Sequence, residues 1–174
     1  MQHELNSRFQ AVEAYVTKAR ASTVPEEIQS YLFRFGTVLI CGYIERSIEI
    51  IILGRLDRRA QPRILSFIKS LFKRGTNYDC HAIEDLLSRF DQDWKESFCI
   101  FIDKNPDIKD GVHSCYSVRN SVAHGGTGSV GSARLLELMQ VSKRLIDGVV
   151  ESTSDSARKI RQNRSDTSKR HNKK

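Results

Sequence analysis

The chain has 174 residues, of which 39% are hydrophobic and 28% are charged, and its formal net charge at pH 7 is +7. This length and apolar content fit one soluble domain with a sizeable core. The longest uncharged apolar run covers residues 35–44, about half the length that a bilayer-spanning helix needs, so the sequence predicts no membrane span.

The first half of the chain is predicted to form two helices. Hydrophobic residues recur every three or four positions through residues 2–21, the pattern of an amphipathic helix. A capping hydroxyl, a proline and two acids within residues 22–27 are a typical helix start. The helix that follows, over about 25–56, is apolar nearly all round in its middle, so we expect it to be the buried central helix.

The second half continues the helical pattern. A turn at 57–62 precedes a short amphipathic helix at 64–72, and residues 80–104 read as one helix. The broad apolar stripe of that helix indicates core rather than a base-stacking platform. Asn105-Pro106 ends it, a helix runs from about 108 to His124, and a last helix covers 133–151. We find no strand, and predict an all-α, up-and-down bundle of about five to six helices.

The positive charge is concentrated at the C-terminus. Residues 153–174 carry eight Lys or Arg and two Asp, and this balance of +6 leaves about +1 for the remaining residues. A basic tail is typical of a segment that binds RNA, DNA or another polyanion, and equally of a solubilising disordered terminus. We therefore divide the chain into a helical domain at 1–151 and a basic disordered tail at 152–174. The tail cations that we assign to nucleic-acid binding are Arg158, Lys159, Arg161, Arg164, Lys169 and Arg170.

The cysteine pattern bears on compartment and metal binding. The four cysteines are widely spaced without a CxxC, and residues 1–21 carry charges throughout, unlike a secretory signal. We expect reduced thiols in a cytoplasmic protein. Cys80-His81 and His113-x-Cys115 lack the spacing of known zinc motifs, so we predict no metal site and no cofactor.

The segment 117–126 holds the candidate catalytic residues, Arg119, Asn120 and His124, and ends in two glycines. Glycine is the usual helix stop, which puts His124 in the last helical turn, on the same face as Asn120. Arginine holds phosphate oxygens through two parallel hydrogen bonds, and histidine exchanges protons near neutral pH. The amide would hold His124 or a phosphate oxygen. The alternative is that a histidine here only caps the helix.

Charged residues inside the central helix form a second, auxiliary candidate group. Glu45, Arg46 and Glu49 stand in its apolar middle, where charges need partners or water. They either face a groove or pair within the helix, or else Glu45 or Arg46 faces the Arg119/His124 site.

An all-helical chain with a long apolar central helix and a later helix ending in Arg-x4-His resembles the HEPN superfamily. RNSVAHG and the upstream CGYIERSIEI look most like its RiboL-PSP-HEPN or MAE-type branch, over about residues 25–150. The resemblance implies a metal-independent endoribonuclease, typically a toxin, phage-defence effector or RNA-processing enzyme. It also implies a homodimer with two motifs at its interface, and products with 2′,3′-cyclic phosphate and 5′-hydroxyl ends.

One departure from the family concerns control. In family toxins paired with nucleotidyltransferase antitoxins, the second residue after the histidine is a tyrosine that becomes adenylylated. Gly126 occupies that position here, so we do not expect that mode of control, although an antitoxin or defence-system partner protein remains an expectation. The alternatives to the ribonuclease are a catalytically silent HEPN module that binds a partner protein, nucleotide or nucleic acid, and a helical protein that binds nucleic acid through its tail.

Overall fold

The computed structural model of the chain describes residues 1–21, 23–57, 59–72, 75–126 and 129–154. These ranges contain seven α-helices and no strand, so the predicted all-α bundle is confirmed, with more helices than the expected five to six. The helices are α1 (Gln2–Ala19), α2 (Glu26–Leu56), α3 (Pro62–Leu71), α4 (Cys80–Ser88), α5 (Gln92–Asp103), α6 (Pro106–Ala123) and α7 (Ser132–Ser152). The six tail cations and residues 155–174 of the predicted disordered tail lie outside the described residues. At the start of that predicted tail, Ser152 is instead the last residue of α7, and both Ser152 and Thr153 are buried.

The central helix is α2, as its composition predicts. It packs against α1, α3, α6 and α7, and its isoleucines at 40, 44, 48, 51 and 52 are at most 1% exposed. A helix that is apolar all round is stable only where neighbours cover several of its sides. In the part of the chain that the structure describes, no helix combines the length and apolarity that crossing a bilayer demands.

The prediction of a single helix over 80–104 is wrong, because the structure has two separate helices there, α4 and α5. Asp91 is the N-cap of α5, and its carboxylate accepts a 2.8 Å hydrogen bond from the Asp93 backbone N–H. An aspartate at this position satisfies an N–H group that a helix start leaves unpaired. The break is short, and both helices bury their apolar faces, so the hydrophobic period runs on across it. The other predicted helix boundaries lie within two residues of those observed.

Helix α6, which carries the candidate catalytic residues, lies close against α7. A Cβ atom at Gly111 would lie 2.8 Å from Val141 Cγ1, closer than an ordinary van der Waals contact, so the glycine lets the two helices approach without displacing Val141. Pro106 occupies the first turn of α6, where a missing N–H costs nothing. Contacts with α2 and α7 fix the position of α6 in the bundle.

Candidate functional site

The C-terminal end of α6 has the hydrogen bonds of a Schellman motif. His124 is the C-cap, Gly125 has φ of 73°, and the Gly126 N–H donates to Ser121 O over 2.8 Å. The Gly125 N–H donates to Val122 O over 3.2 Å. The predicted glycine stop is thus confirmed, with His124 one residue past the last helical residue rather than in the last turn. The motif fixes the path of the chain here and leaves His124 exposed.

Gly126 is required by space as well as by the turn. A Cβ atom at this position would lie 2.3 Å from Ser121 Oγ and 2.9 Å from Ser121 O. Ser121 Oγ and Ser121 O, in the last helical turn, therefore occupy the space that a side chain at position 126 would need.

One turn before the helix end, Arg119 is held by two amide side chains. Its Nη1 donates to Asn77 Oδ1 over 2.9 Å and to Asn120 Oδ1 over 3.1 Å. Asn77 Nδ2 in turn donates to Asn120 Oδ1 over 3.4 Å. Hydrogen bonds from a charged donor are stronger than neutral ones, so the guanidinium is fixed from one side.

The opposite side of the guanidinium faces Glu45 on α2. Arg119 Nη2 lies 3.9 Å from Glu45 Oε1, and the two side chains are 32% and 26% exposed. That distance exceeds a hydrogen bond, and within the described residues Nη2 donates no hydrogen bond and Glu45 Oε1 accepts none. Burial raises the pKa of Glu45, and the positive charge of Arg119 only partly opposes this.

Arg46 takes a different place from Glu45. It forms an ion pair with Glu49, one turn further along α2, and Glu49 is 8% exposed. Each of the two explanations offered for these charges therefore applies to different residues. Arg46 and Glu49 pair within the helix, and Glu45 lies beside Arg119.

A buried pair of thiols lies between α2 and α6, one turn away from Glu45 and Arg119. Cys41 Sγ lies 3.4 Å from Cys115 Sγ, and each cysteine stands four residues before the site residue of its own helix, Glu45 and Arg119. Residues four apart share a helix face, so the two contacts form successive layers between α2 and α6. The hydrogen bond with Cys115, together with burial, raises the pKa of Cys41 and keeps it a thiol.

The three motif residues are not all in mutual contact. Asn120 Oδ1 is used by Arg119 and Asn77, while Asn120 Nδ2 donates no hydrogen bond among the described residues. The His124 imidazole also makes none there, and His124 stands five positions after Arg119, about 7.5 Å further along the helix axis. Arg119 Nη2, Asn120 Nδ2 and the imidazole therefore remain as groups that a ligand can use.

Asn77 is the site residue that sequence reasoning missed. It lies in the segment between α3 and α4, two residues before Asp79, the N-cap of α4. Its contact with Arg119 spans 42 residues of chain, and no local pattern identifies such a partner. Among the described residues, no three His, Cys, Asp or Glu side chains gather as a metal-binding group would.

A comparison with protein-family models gave a match to the model described as RiboL-PSP-HEPN, over residues 3–155. No curated protein and no solved structure matched the chain.

Proposed function

Since the chain belongs to the RiboL-PSP-HEPN family, we propose that it is a metal-independent endoribonuclease, acting as a toxin or phage-defence effector. Membership by itself assigns a nuclease-like or RNA-related role at the family level. The finer proposal assigns RNA cleavage to Arg119, Asn120 and His124, with Glu45 and Asn77 as supporting residues.

One observation carries this proposal: Arg119 is held from one side and has unused donors on the other. Asn77 and Asn120 fix Nη1, while Nη2 and the free Asn120 amide nitrogen make no hydrogen bond to the described residues. A fixed guanidinium with free N–H groups suits an oxyanion, because its donors need no reorganisation when charge develops.

The reaction that we propose is an in-line transesterification. The RNA 2′-oxygen forms a bond to phosphorus as the bond from phosphorus to the 5′-oxygen breaks, which leaves a 2′,3′-cyclic phosphate and a 5′-hydroxyl. One group takes the 2′-hydroxyl proton and another gives a proton to the leaving 5′-oxygen. His124 supplies this proton transfer, and Arg119 stabilises the charge on the pentacoordinate phosphorus.

The need for both an acid and a base favours a dimer. Each chain contributes a single histidine to the motif, and His124 is exposed at the end of α6. In a symmetric dimer that brings two α6 ends together, the two copies of His124 would supply the pair.

The first experiment is to incubate the purified full-length protein with total RNA, with and without EDTA, and to analyse the ends of the fragments. We expect cleavage in both conditions, with cyclic phosphate and 5′-hydroxyl ends, from a protein that is dimeric by light scattering. RNA binding without cleavage would support the silent binding module instead. Cleavage by a protein that stays monomeric at micromolar concentration would contradict the dimer.

A further inference from the structure

A largely apolar groove lies between α3 and α4. Its volume is about 380 Å³, within the range of small-molecule sites. Four of its eleven lining residues are aromatic, namely Phe67, Phe72, Tyr78 and Phe90. Aromatic residues make up only 8% of the chain, so this groove is rich in rings on which a flat ligand can stack.

On the α3 side of this groove, apolar side chains are exposed to solvent. Phe67 is 63% exposed and Leu71 43%, and both point from the same helical face. A contiguous exposed apolar patch on a soluble protein commonly marks a binding site. At the floor, the Phe72 and Tyr78 rings lie 6.3 Å apart at an angle of 45°.

Shared lining residues link the groove to the surroundings of Arg119. A second, polar cleft of about 170 Å³ shares Phe72, Thr76 and Tyr78 with it. The remaining residues of this polar cleft are Gly42, Glu45, Arg46 and Glu49. Glu45 faces Arg119, and Tyr78 directly follows Asn77, which binds Arg119. The polar cleft therefore adjoins the aromatic groove and includes Glu45, whose Oε1 lies 3.9 Å from Arg119 Nη2.

We propose that the groove binds a nucleobase of the RNA strand whose phosphate is held by Arg119. This inference rests on the proposed ribonuclease function and adds a substrate-binding subsite to it. Single-stranded RNA is bound largely by stacking of bases on aromatic side chains, which Phe67 offers at the rim. Arg89, also in the lining, adds a cation that can stack on the base or pair with a neighbouring phosphate.

The polar cleft beside the groove favours a nucleobase over an apolar protein segment. A base carries hydrogen-bonding groups around an apolar face, so it can stack in the groove while its edge meets Thr76 or Glu45 in the polar cleft. A hydrophobic peptide would offer no hydrogen bond to Glu45, whose Oε1 accepts none from the described residues, whereas Glu49 is already paired with Arg46.

The test uses full-length protein and short single-stranded oligoribonucleotides at fixed salt. Phe67→Ala should weaken binding of a 2′-O-methyl oligonucleotide, which cannot be cleaved, by roughly 5- to 100-fold, the loss of one stacked base. It should raise KM for the unmodified RNA by a similar factor with a smaller effect on kcat. Phe67→Trp should retain binding. The matched control is Ile64→Ala on the same helix, because Ile64 is 49% exposed and does not line the groove.

A second arm identifies the base itself. Replacing one nucleotide at a time with an abasic residue should weaken wild-type binding most at a single position, and Phe67→Ala should be insensitive to the abasic change there. Wild-type affinity in folded Phe67→Ala would overturn the nucleobase subsite while RNA cleavage continued to support the ribonuclease. If the wild-type protein binds RNA without cutting it, and Phe67→Ala weakens that binding, the subsite is supported and the proposed ribonuclease function is rejected.

Discussion

Asn77 accepts a 2.9 Å hydrogen bond from Arg119, although 42 residues separate them in the chain. The contact ties the segment before α4 to the last turn of α6. It also determines which nitrogen of the guanidinium can bind a ligand. Nη1 is hydrogen-bonded to Asn77 and Asn120, whereas Nη2 faces Glu45 without a hydrogen bond to the described residues.

If this contact positions Arg119, Asn77→Ala should lower kcat for RNA by roughly tenfold to a hundredfold, the value of a hydrogen bond to a charged group. The informative measurement is a double-mutant cycle. In an Arg119→Ala background, Asn77→Ala should have no further effect, since its contribution passes through the guanidinium. An additive loss in the double variant would mean that Asn77 acts by another route.

Alanine substitutions at two glycines, Gly126 in the Schellman motif and Gly42 inside α2, should change stability in opposite directions. Gly126→Ala should lower the free energy of unfolding by more than about 1 kcal/mol, because its Cβ would collide with Ser121. Gly42→Ala should raise it by about 0.5–1 kcal/mol, because Gly42 lies inside α2 with open space around it and alanine favours the helix. Urea unfolding measures both. Equal effects of the two substitutions would contradict this account of Gly126.

Features that depend on a short segment of chain could be predicted from the sequence, whereas contacts between distant segments could not. The helix stop at Gly125 and the burial of α2 follow from local rules, since a left-handed residue and an all-apolar face are properties of short segments. The three-residue break at 89–91 was missed because the hydrophobic period continues across it. Asn77 was missed because its role depends on where the bundle brings distant segments together, which no local pattern encodes.

Glu45 predicts a pH-dependent effect on stability. Burial raises its pKa in the folded state above the ordinary value of 4.5, so the folded protein holds its proton more tightly than the unfolded chain. Stability contributed by the protonated form is present below pH 4.5 and is lost as the pH rises through the raised pKa. The Glu45→Gln variant has no carboxyl group to lose a proton at this position. The unfolding free energy of the variant minus that of the wild type should therefore increase from about pH 4 to about pH 8. A difference that stays flat or decreases would show that the attraction to Arg119 outweighs burial.

The basic tail gives a prediction about salt. Removal of residues 155–174 should weaken RNA binding and flatten its salt dependence, because the slope of log K against log salt falls by about 0.7 for each RNA phosphate that the tail no longer neutralises. The cut is placed after Ser154 because Thr153 is buried and accepts a hydrogen bond from Arg55 Nε. The melting temperature should be retained. An unchanged salt slope would assign the tail a purpose other than RNA binding.

The central claim is that His124 transfers protons in RNA cleavage, and His124→Ala tests it most directly. His113→Ala is the matched control, since His113 is also an exposed histidine on α6. Loss of a dipole or cap contact at position 124 costs only about 0.3–1 kcal/mol, so both variants should melt close to wild type.

The deciding measurement is the cleavage rate of an oligoribonucleotide in EDTA, with end-group analysis of the products. We predict that His124→Ala loses roughly 10²–10⁴ in rate and that His113→Ala cleaves like wild type. A folded His124→Ala protein that cleaves RNA at the wild-type rate would contradict the account and leave His124 as a helix cap.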